Sequence, residues 1–202
     1  ADQSFKDFEV IFVDYGSDED YSMPVKDYLK AFDFISYYYN DTRGMPWNRA
    51  HVLNTGVRLA EGEFILFTDI DMVFVPSFME VNVKQLIPTK QFYQPIYWLP
   101  EDFKQYDKLA SGQLIDFNTS GTSGKGGLHF ISKKALEEIG GYDEYFCFWG
   151  REDLDLFGRL ELNGIQTNWF PPNKVPVYHQ WHPLTSTLSN SQFPDKWWED
   201  MS

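Results

Sequence analysis

Phe64-Ile65-Leu66-Phe67-Thr68-Asp69-Ile70-Asp71 decides the fold. A short apolar run rich in aromatic and branched residues reads as a buried strand. Gly62 bounds it on one side, and on the other it ends in two acids spaced i and i+2. Upstream, Asn48 can cap a helix to about Ala60, with Ala50, Leu53, Val57 and Ala60 on one face. Further upstream, Glu9-Val10-Ile11-Phe12-Val13-Asp14 is another apolar strand ending in Asp, before the turn signal Gly16-Ser17. Phe34 to Tyr39 reads as a strand between them.

Downstream, Pro76 can start a helix through Leu86, and Gln91 to Leu99 reads as one strand with Pro95 near an edge or bulge. Gly127 to Ser132 reads as a strand and Lys133 to Ile139 as a helix. Residues 140–151 form an aromatic, Gly-containing loop. Glu152 to Asn163 reads as a helix closed by Gly164, followed by a strand near Val175 to His179 and a polar, Trp-containing tail. Buried strands alternating with helices predict an α/β sandwich with a mainly parallel central sheet. Ligands of such sheets sit beyond the carboxyl ends of the strands, where Asp14 and Asp69 both fall.

The length, 202 residues, suits one domain with a sizeable core. Seven Trp and twelve Tyr lean toward a carbohydrate ligand as well as toward core packing. A formal net charge of −13 with no basic run argues against nucleic acid as a partner, although a divalent metal can still bridge carboxylates to phosphates. Cys147 is the only cysteine, which excludes an intrachain disulfide and favours a reducing compartment. No run is long and apolar enough to span a bilayer, so any membrane anchoring is expected only through parts outside this chain.

Three constellations carry chemistry. Asp69 and Asp71 can face one divalent cation, and hard oxygen ligands suit Mg²⁺ or Mn²⁺. Such an ion neutralises a diphosphate leaving group, whereas the plainer account is a pair of strand-end acids in water. Trp149-Gly150-Arg151-Glu152-Asp153-Leu154-Asp155 places acids at a helix start, where the helix dipole alone would favour them. A carboxylate fixed there beside Trp can also serve as general base for a hydroxyl, under a mobile Trp-Gly lid. Val177-Tyr178-His179-Gln180-Trp181-His182 offers two imidazoles near an apolar strand, able to complete the coordination of an ion held by Asp71.

These segments together carry a resemblance. Asn48-Arg49-Ala50-His51-Val52-Leu53-Asn54-Thr55-Gly56, the Asp69-Ile70-Asp71 pair, and Gly126-Gly127 leading to Trp149-Gly150-Arg151-Glu152-Asp153 resemble the β-1,4-galactosyltransferase family. Gly127 to His179, ending Val177-Tyr178-His179-Gln180, resembles the N-acetylgalactosaminyltransferase domains of bacterial chondroitin polymerases. The opening segment Phe8 to Ser17 is similar to the first half of family 2 glycosyltransferases.

The resemblance implies a single GT-A-type, nucleotide-sugar-binding catalytic domain over residues 1–202. Residues 1–75 form its nucleotide-binding half, ending in the D-x-D, and residues 76–202 its acceptor-binding half. It implies a metal-dependent inverting enzyme that moves galactose, N-acetylgalactosamine or a similar sugar from a UDP-sugar to a glycan or glycolipid acceptor. Asp71 and His179 would ligate Mn²⁺ or Mg²⁺, with His182 a lesser candidate, and Asp153 would be the catalytic base. Asp14, Trp47, Arg49 and Asp69 would contact the donor, with Arg49 approaching the diphosphate. Gly127, Glu152 and the lid residue Trp149 would contact substrate.

Two features depart from the family pattern. Arg151 stands where galactosyltransferases usually carry Gly, and Leu154 interrupts an acidic run. The resemblance also leads one to expect a βα unit ahead of the Phe8–Asp14 strand; the sequence shows none, so the chain is read as a fragment or as a pocket with a differently built edge. The expected setting is cytoplasmic and bacterial. The alternatives are a non-catalytic nucleotide-sugar or glycan-binding module and a retaining transferase on the same fold. A metal-dependent nucleotidyltransferase would need a Gly-rich N-terminal loop, which is not seen.

Overall fold

Residues 2–113, 127–147, 150–171 and 175–183 are described by the computed structural model of the chain. The first half runs β1 (Val10–Tyr15), α1 (Glu19–Leu29), β2 (Ile35–Asn40), α2 (Arg49–Leu59), β3 (Phe64–Thr68), β4 (Met72–Phe74) and α3 (Phe78–Val83). The second runs β5 (Lys90–Tyr93), β6 (Ile96–Trp98), α4 (Tyr106–Ala110), β7 (Leu128–Ser132), α5 (Lys133–Glu138), α6 (Glu152–Leu162), β8 (Gln166–Trp169) and β9 (Val177–His179).

The architecture is α/β, but the expectation of a mainly parallel sheet is met only in part. Among the described residues the strands form three sheets, ordered β1-β2, β3-β7-β5-β8 and β4-β9-β6. The pairs β1–β2, β5–β8 and β6–β9 are parallel; β3–β7, β5–β7 and β4–β9 are antiparallel. The error has a physical source. Every residue of β7, Leu128-His129-Phe130-Ile131-Ser132, is buried, so its pattern marks burial on both faces whichever way the strand points. Apolar content reports burial on two faces, and direction is set by connections the pattern does not encode.

A second correction concerns Gln91 to Leu99, which is two strands in two sheets. Pro95 has no N–H to give to a ladder, and the break falls at Gln94-Pro95. The buried Gln94 amide turns aside to donate to the Val175 carbonyl at 3.3 Å. The helix expected from Pro76 to Leu86 is shorter, Phe78–Val83, and continues as single turns at Gln85 and Leu86. Elsewhere the local signals hold. Asn48 caps α2 by accepting from the His51 N–H at 2.9 Å, and Gly164 closes α6 at φ 84°. No helix among the described residues is long and apolar enough to cross a membrane.

Two apolar cores flank the central sheet. One gathers Phe78, Phe92, Phe130, Phe170 and Tyr178; the other packs α2 and α6 through Ala50, Val57, Leu156 and Leu160 against Phe67, Tyr93 and Ile131. Inside the second lies His129, stacked on Tyr93 at 4.9 Å and on Phe67 at 6.0 Å. Its Nε2 meets Gln91 Oε1 at 3.1 Å, the arrangement of a neutral ring donating to an amide oxygen. Burial depresses its pKa to about 3 from 6.5.

This depression sets a pH dependence of stability. Below pH 6.5 the unfolded chain binds a proton at His129 that the folded chain refuses until about pH 3. Folding should therefore weaken by about 1.4 kcal/mol per pH unit across that window. Urea denaturation of the native chain and of His129→Gln checks it. The difference in stability between the two should shrink or reverse as the pH falls, and a pH-independent difference would contradict the assignment.

Candidate active site

Three chain segments reach one place: the turn after β3, the first turn of α2 and the first turn of α6. The turn is fixed by a hydrogen bond from the Asp69 N–H to the Gly127 carbonyl at 3.3 Å. Gly127 stands close against neighbouring side chains. A Cβ there would lie 2.8 Å from Met72 Cε, which would have to shift, and in ordinary contact with Asp69 Oδ2 at 3.4 Å.

Past the turn, the chain leaves the central sheet and enters the small one, and this change of sheet creates a metal-competent cluster. β4 pairs with β9 so that Met72 faces His179, and the Gln180 N–H donates to the Asp71 carbonyl at 2.9 Å. Asp71 Oδ1 thereby stands 3.4 Å from His179 Nε2, and Asp71 Oδ2 stands 3.3 Å from His182 Nε2. Ligand atoms of all three residues lie within 4.8 Å of one another. Each imidazole turns its other nitrogen, Nδ1, to a backbone carbonyl, that of Gln180 at 2.6 Å and that of Pro183 at 2.8 Å. A proton on Nδ1 satisfies those carbonyls and leaves both Nε2 lone pairs facing the carboxylate, as in metal-ligating histidines whose other ring N–H is held by a carbonyl. Asp71 Oδ1 is buried and, among the described residues, accepts no hydrogen bond, which leaves the cluster with an unmet need for positive charge. Trp98 covers His179 with ring centroids 3.8 Å apart.

Beside it lies a second cluster of opposite construction, built on a cation. Arg49 Nη2 donates to Asp69 Oδ1 at 3.0 Å. Its Nη1 donates to Asp153 Oδ1 and Oδ2 at 3.0 and 3.1 Å and to Glu152 Oε1 at 3.3 Å. The guanidinium side chain is only 17% exposed. Burial alone would lower its pKa, but Asp153 and Asp69 outweigh that and raise it. For Asp69 and Asp153 the balance is the reverse: withdrawal from water raises both carboxyls above the ordinary value, and Arg49 offsets only part of the rise. Tyr142, deeply buried, donates its hydroxyl to Asp153 Oδ1 at 3.2 Å.

The sequence-predicted residues thus fall into three groups. Asp71 and His179 meet, and His182 joins them on equal terms. Arg49, Asp69, Glu152 and Asp153 meet, with Arg49 spent on acids in this state. Asp14 and Trp47 stand on the β1 side of α2. Asp14 is buried, accepting from Ser17 N–H at 2.9 Å and Tyr37 hydroxyl at 2.7 Å, which with burial pushes the tyrosine up to about 12. Trp47 is half-exposed and packs edge-on against Tyr15 at 5.2 Å. Trp149 lies outside the described residues.

Arg151, the departure at the start of α6, adopts φ 75°, the left-handed region where glycine rests without strain. Sequence reading missed Tyr142 and Asn54. The only hint was polar groups at aromatic and helical positions, which burial later gives a partner.

The family model for "Glycosyltransferase like family 2" matches residues 1–193. Human chondroitin sulfate synthase 3 is 30% identical over 144 residues, 64% of this chain and 16% of its own length. The hyaluronan synthase of Pasteurella multocida is 26% identical over 213 aligned positions, covering 86% of this chain and 21% of the synthase. The chain thus spans about a fifth or less of the curated relatives it matches. Among solved structures, the fold is shared with S. aureus TarS, at TM-score 0.64 and 16% identity over 90% of this chain and 33% of that one. It is shared also with GalNAc-T7, solved with UDP, GalNAc and Mn²⁺, at TM-score 0.60 and 14% identity over 87% and 38%.

The acid cluster depends on its cation, which gives a test. Arg49→Met strands Glu152, Asp153 and Asp69 together; breaking a buried pair costs about 3–5 kcal/mol, and the half-exposed Asp69 brings the expected loss to about 2 kcal/mol. Denaturation should show this loss at neutral pH and a smaller one in acid, where the stranded carboxylates take up protons. A loss that does not change with pH would mean the cost is one of packing.

Proposed function

This chain belongs to the glycosyltransferase family 2-like family, and from that membership we propose that it catalyses metal-dependent, inverting transfer of a sugar from a UDP-sugar to a glycan hydroxyl. The observation that carries the reading is the Arg49 bridge. One guanidinium spans Asp69, beside the metal-competent Asp71 cluster, and Asp153, a partly buried carboxylate at a helix start. A site for the departing diphosphate and a base for the incoming hydroxyl therefore lie within one side chain's reach of each other.

Asp71, His179 and His182 would hold Mn²⁺ or Mg²⁺, and their unsatisfied carboxylate oxygen and two free Nε2 lone pairs fit such an ion. Bound there, the ion supplies positive charge to the diphosphate of the donor. Asp153 takes the proton of the acceptor hydroxyl as that oxygen bonds to the anomeric carbon, and the bond from the anomeric carbon to the UDP phosphate oxygen breaks. Attack from the face opposite the leaving group inverts the anomeric centre. Glu152, buried beside the base, orients sugar hydroxyls, and Asp69 faces the donor. Asp14, Trp47 and Tyr15 form the rim proposed for the uridine. Arg49 exchanges part of its carboxylate contact for the diphosphate when the donor enters. Galactose or N-acetylgalactosamine is the proposed sugar. The synthase names of the relatives favour a growing polysaccharide as acceptor. A second reading, a binding module without turnover, is favoured by one observation: Arg49 contacts both oxygens of Asp153.

For the metal, Mn²⁺ calorimetry on Asp71→Ala, His179→Ala and His182→Ala should show affinity falling at least about tenfold in each. Unchanged affinity in all three would remove the cluster from the site.

For the base, Asp153→Asn should slow transfer by about 10²–10⁴-fold while leaving UDP and Mn²⁺ binding nearly unchanged. Because the Asp153 carboxyl titrates above 3.8 and must be ionised to act, the rate of the native chain should fall with acid through a limb above that value. Wild-type turnover by Asp153→Asn would instead favour a retaining mechanism.

A further inference from the structure

Tyr142 has no part in the chemistry above, yet it touches the base. Its side chain is 3% exposed, and its hydroxyl donates to Asp153 Oδ1 at 3.2 Å. The residue is held at every level. Its N–H donates to Asn54 Oδ1 at 2.8 Å, and Asn54 Nδ2 donates back to its carbonyl at 2.9 Å. Gly141, just before it, sits at φ 73°, where a Cβ would come within 2.5 Å of Asn54 Oδ1. The ring stands edge-on to Phe67 of β3 at 5.3 Å. Backbone and ring are fixed separately, so the hydroxyl has one direction to point.

The oxygens of Asp153 are consequently unequal. Among the described residues, Oδ1 receives Arg49 and Tyr142, and Oδ2 receives Arg49 alone. Each carboxylate oxygen has about two lone-pair positions, so Oδ1 is filled and Oδ2 keeps one open. A phenylalanine would pack in the same space; a buried hydroxyl costs desolvation unless it is used.

We propose that Tyr142 is a positioning residue for glycosyl transfer: its hydroxyl saturates Asp153 Oδ1 and leaves Oδ2 as the atom that takes the acceptor's proton. The proposal rests on the reading of Asp153 as the base. Several charged or titratable groups face Asp153: Arg49 from α2, Glu152 from its own helix, Asp69 across the guanidinium, Tyr93 from β5, and Tyr142 itself. Burial and then the Asp153 charge raise the Tyr142 phenol well above its ordinary value, so it remains a donor throughout the working pH range.

The test is Tyr142→Phe in the full chain, read as kcat and donor KM against pH. Loss of a hydrogen bond to a charged group should lower kcat about tenfold and leave donor KM within about twofold. With one donor fewer, the carboxylate is more basic, so the acid limb of kcat should move to higher pH by about one unit. Incorporating 3-fluorotyrosine at position 142 keeps the packing and strengthens the donor, so it should move the limb the opposite way; it serves also if the phenylalanine variant fails to fold. A limb that stays in place in both variants overturns the proposal, whatever happens to the melting temperature. Asp153→Asn separates the two ideas. If it retains wild-type turnover, the base reading fails and takes this proposal with it. If it is inactive while Tyr142→Phe matches the native chain, only the positioning role falls.

Discussion

The site depends on one cation standing where helix electrostatics would not place it. Arg49 opens α2, and a positive charge at a helix N-terminus opposes the dipole. The three carboxylates around it supply the reason. Glu152 and Asp153 are adjacent acids in the first turn of α6, a position the dipole does favour, and Asp69 comes from the end of β3. Drawn together without a cation, these charges would repel in a partly dry space. With Arg49 among them, a strand end and two helix starts are fixed at one spacing.

The histidines reach the site by a different constraint. More than a hundred residues separate Asp71 from His179 in sequence, and no local signal joins them. The ladder between β4 and β9 does, because Met72 opposite His179 leaves Asp71 beside Gln180. β4 is three residues long and follows the D-x-D turn directly. The turn therefore does two jobs at once: it presents carboxylates and it hands the chain from the central sheet to the small one.

What was legible in the sequence follows from the range of each signal. Asn48 as a cap, the strand Phe64–Thr68 and Gly164 as a stop are local features, and they stand where the pattern put them. Strand direction is not local, and β7 shows why, since burial on both faces erases the alternation that would distinguish its neighbours. α1 escaped notice because Pro24 interrupts an otherwise polar, weakly amphipathic segment. The residue types of the site were legible from motif and resemblance, but their pairing was not. Arg49 reads as a phosphate contact until three carboxylates are seen around it. His182 reads as the lesser histidine until its Nε2 is found as near to Asp71 as that of His179. Tyr142 reads as one aromatic among many in its loop, and only the fold shows which atom its hydroxyl meets.

Helix α2 does more than carry Arg49. One side packs on β1, next to the Tyr15–Trp47 pair. Its other polar residues grip the loop ahead of α6: Asn48 donates to the Glu144 carbonyl at 2.8 Å, His51 meets the Glu144 carboxylate at 2.9 Å, and Asn54 holds Tyr142 by both backbone groups. The Tyr15–Trp47 pair, the acid cluster and the loop are thus bolted to the same short rod. In mechanical terms the rod is a lever with its load at one end and its handle at the other. Under the proposed function, a shift at the Tyr15–Trp47 end of the rod would reach Arg49, and through it Asp153, as a change of aim.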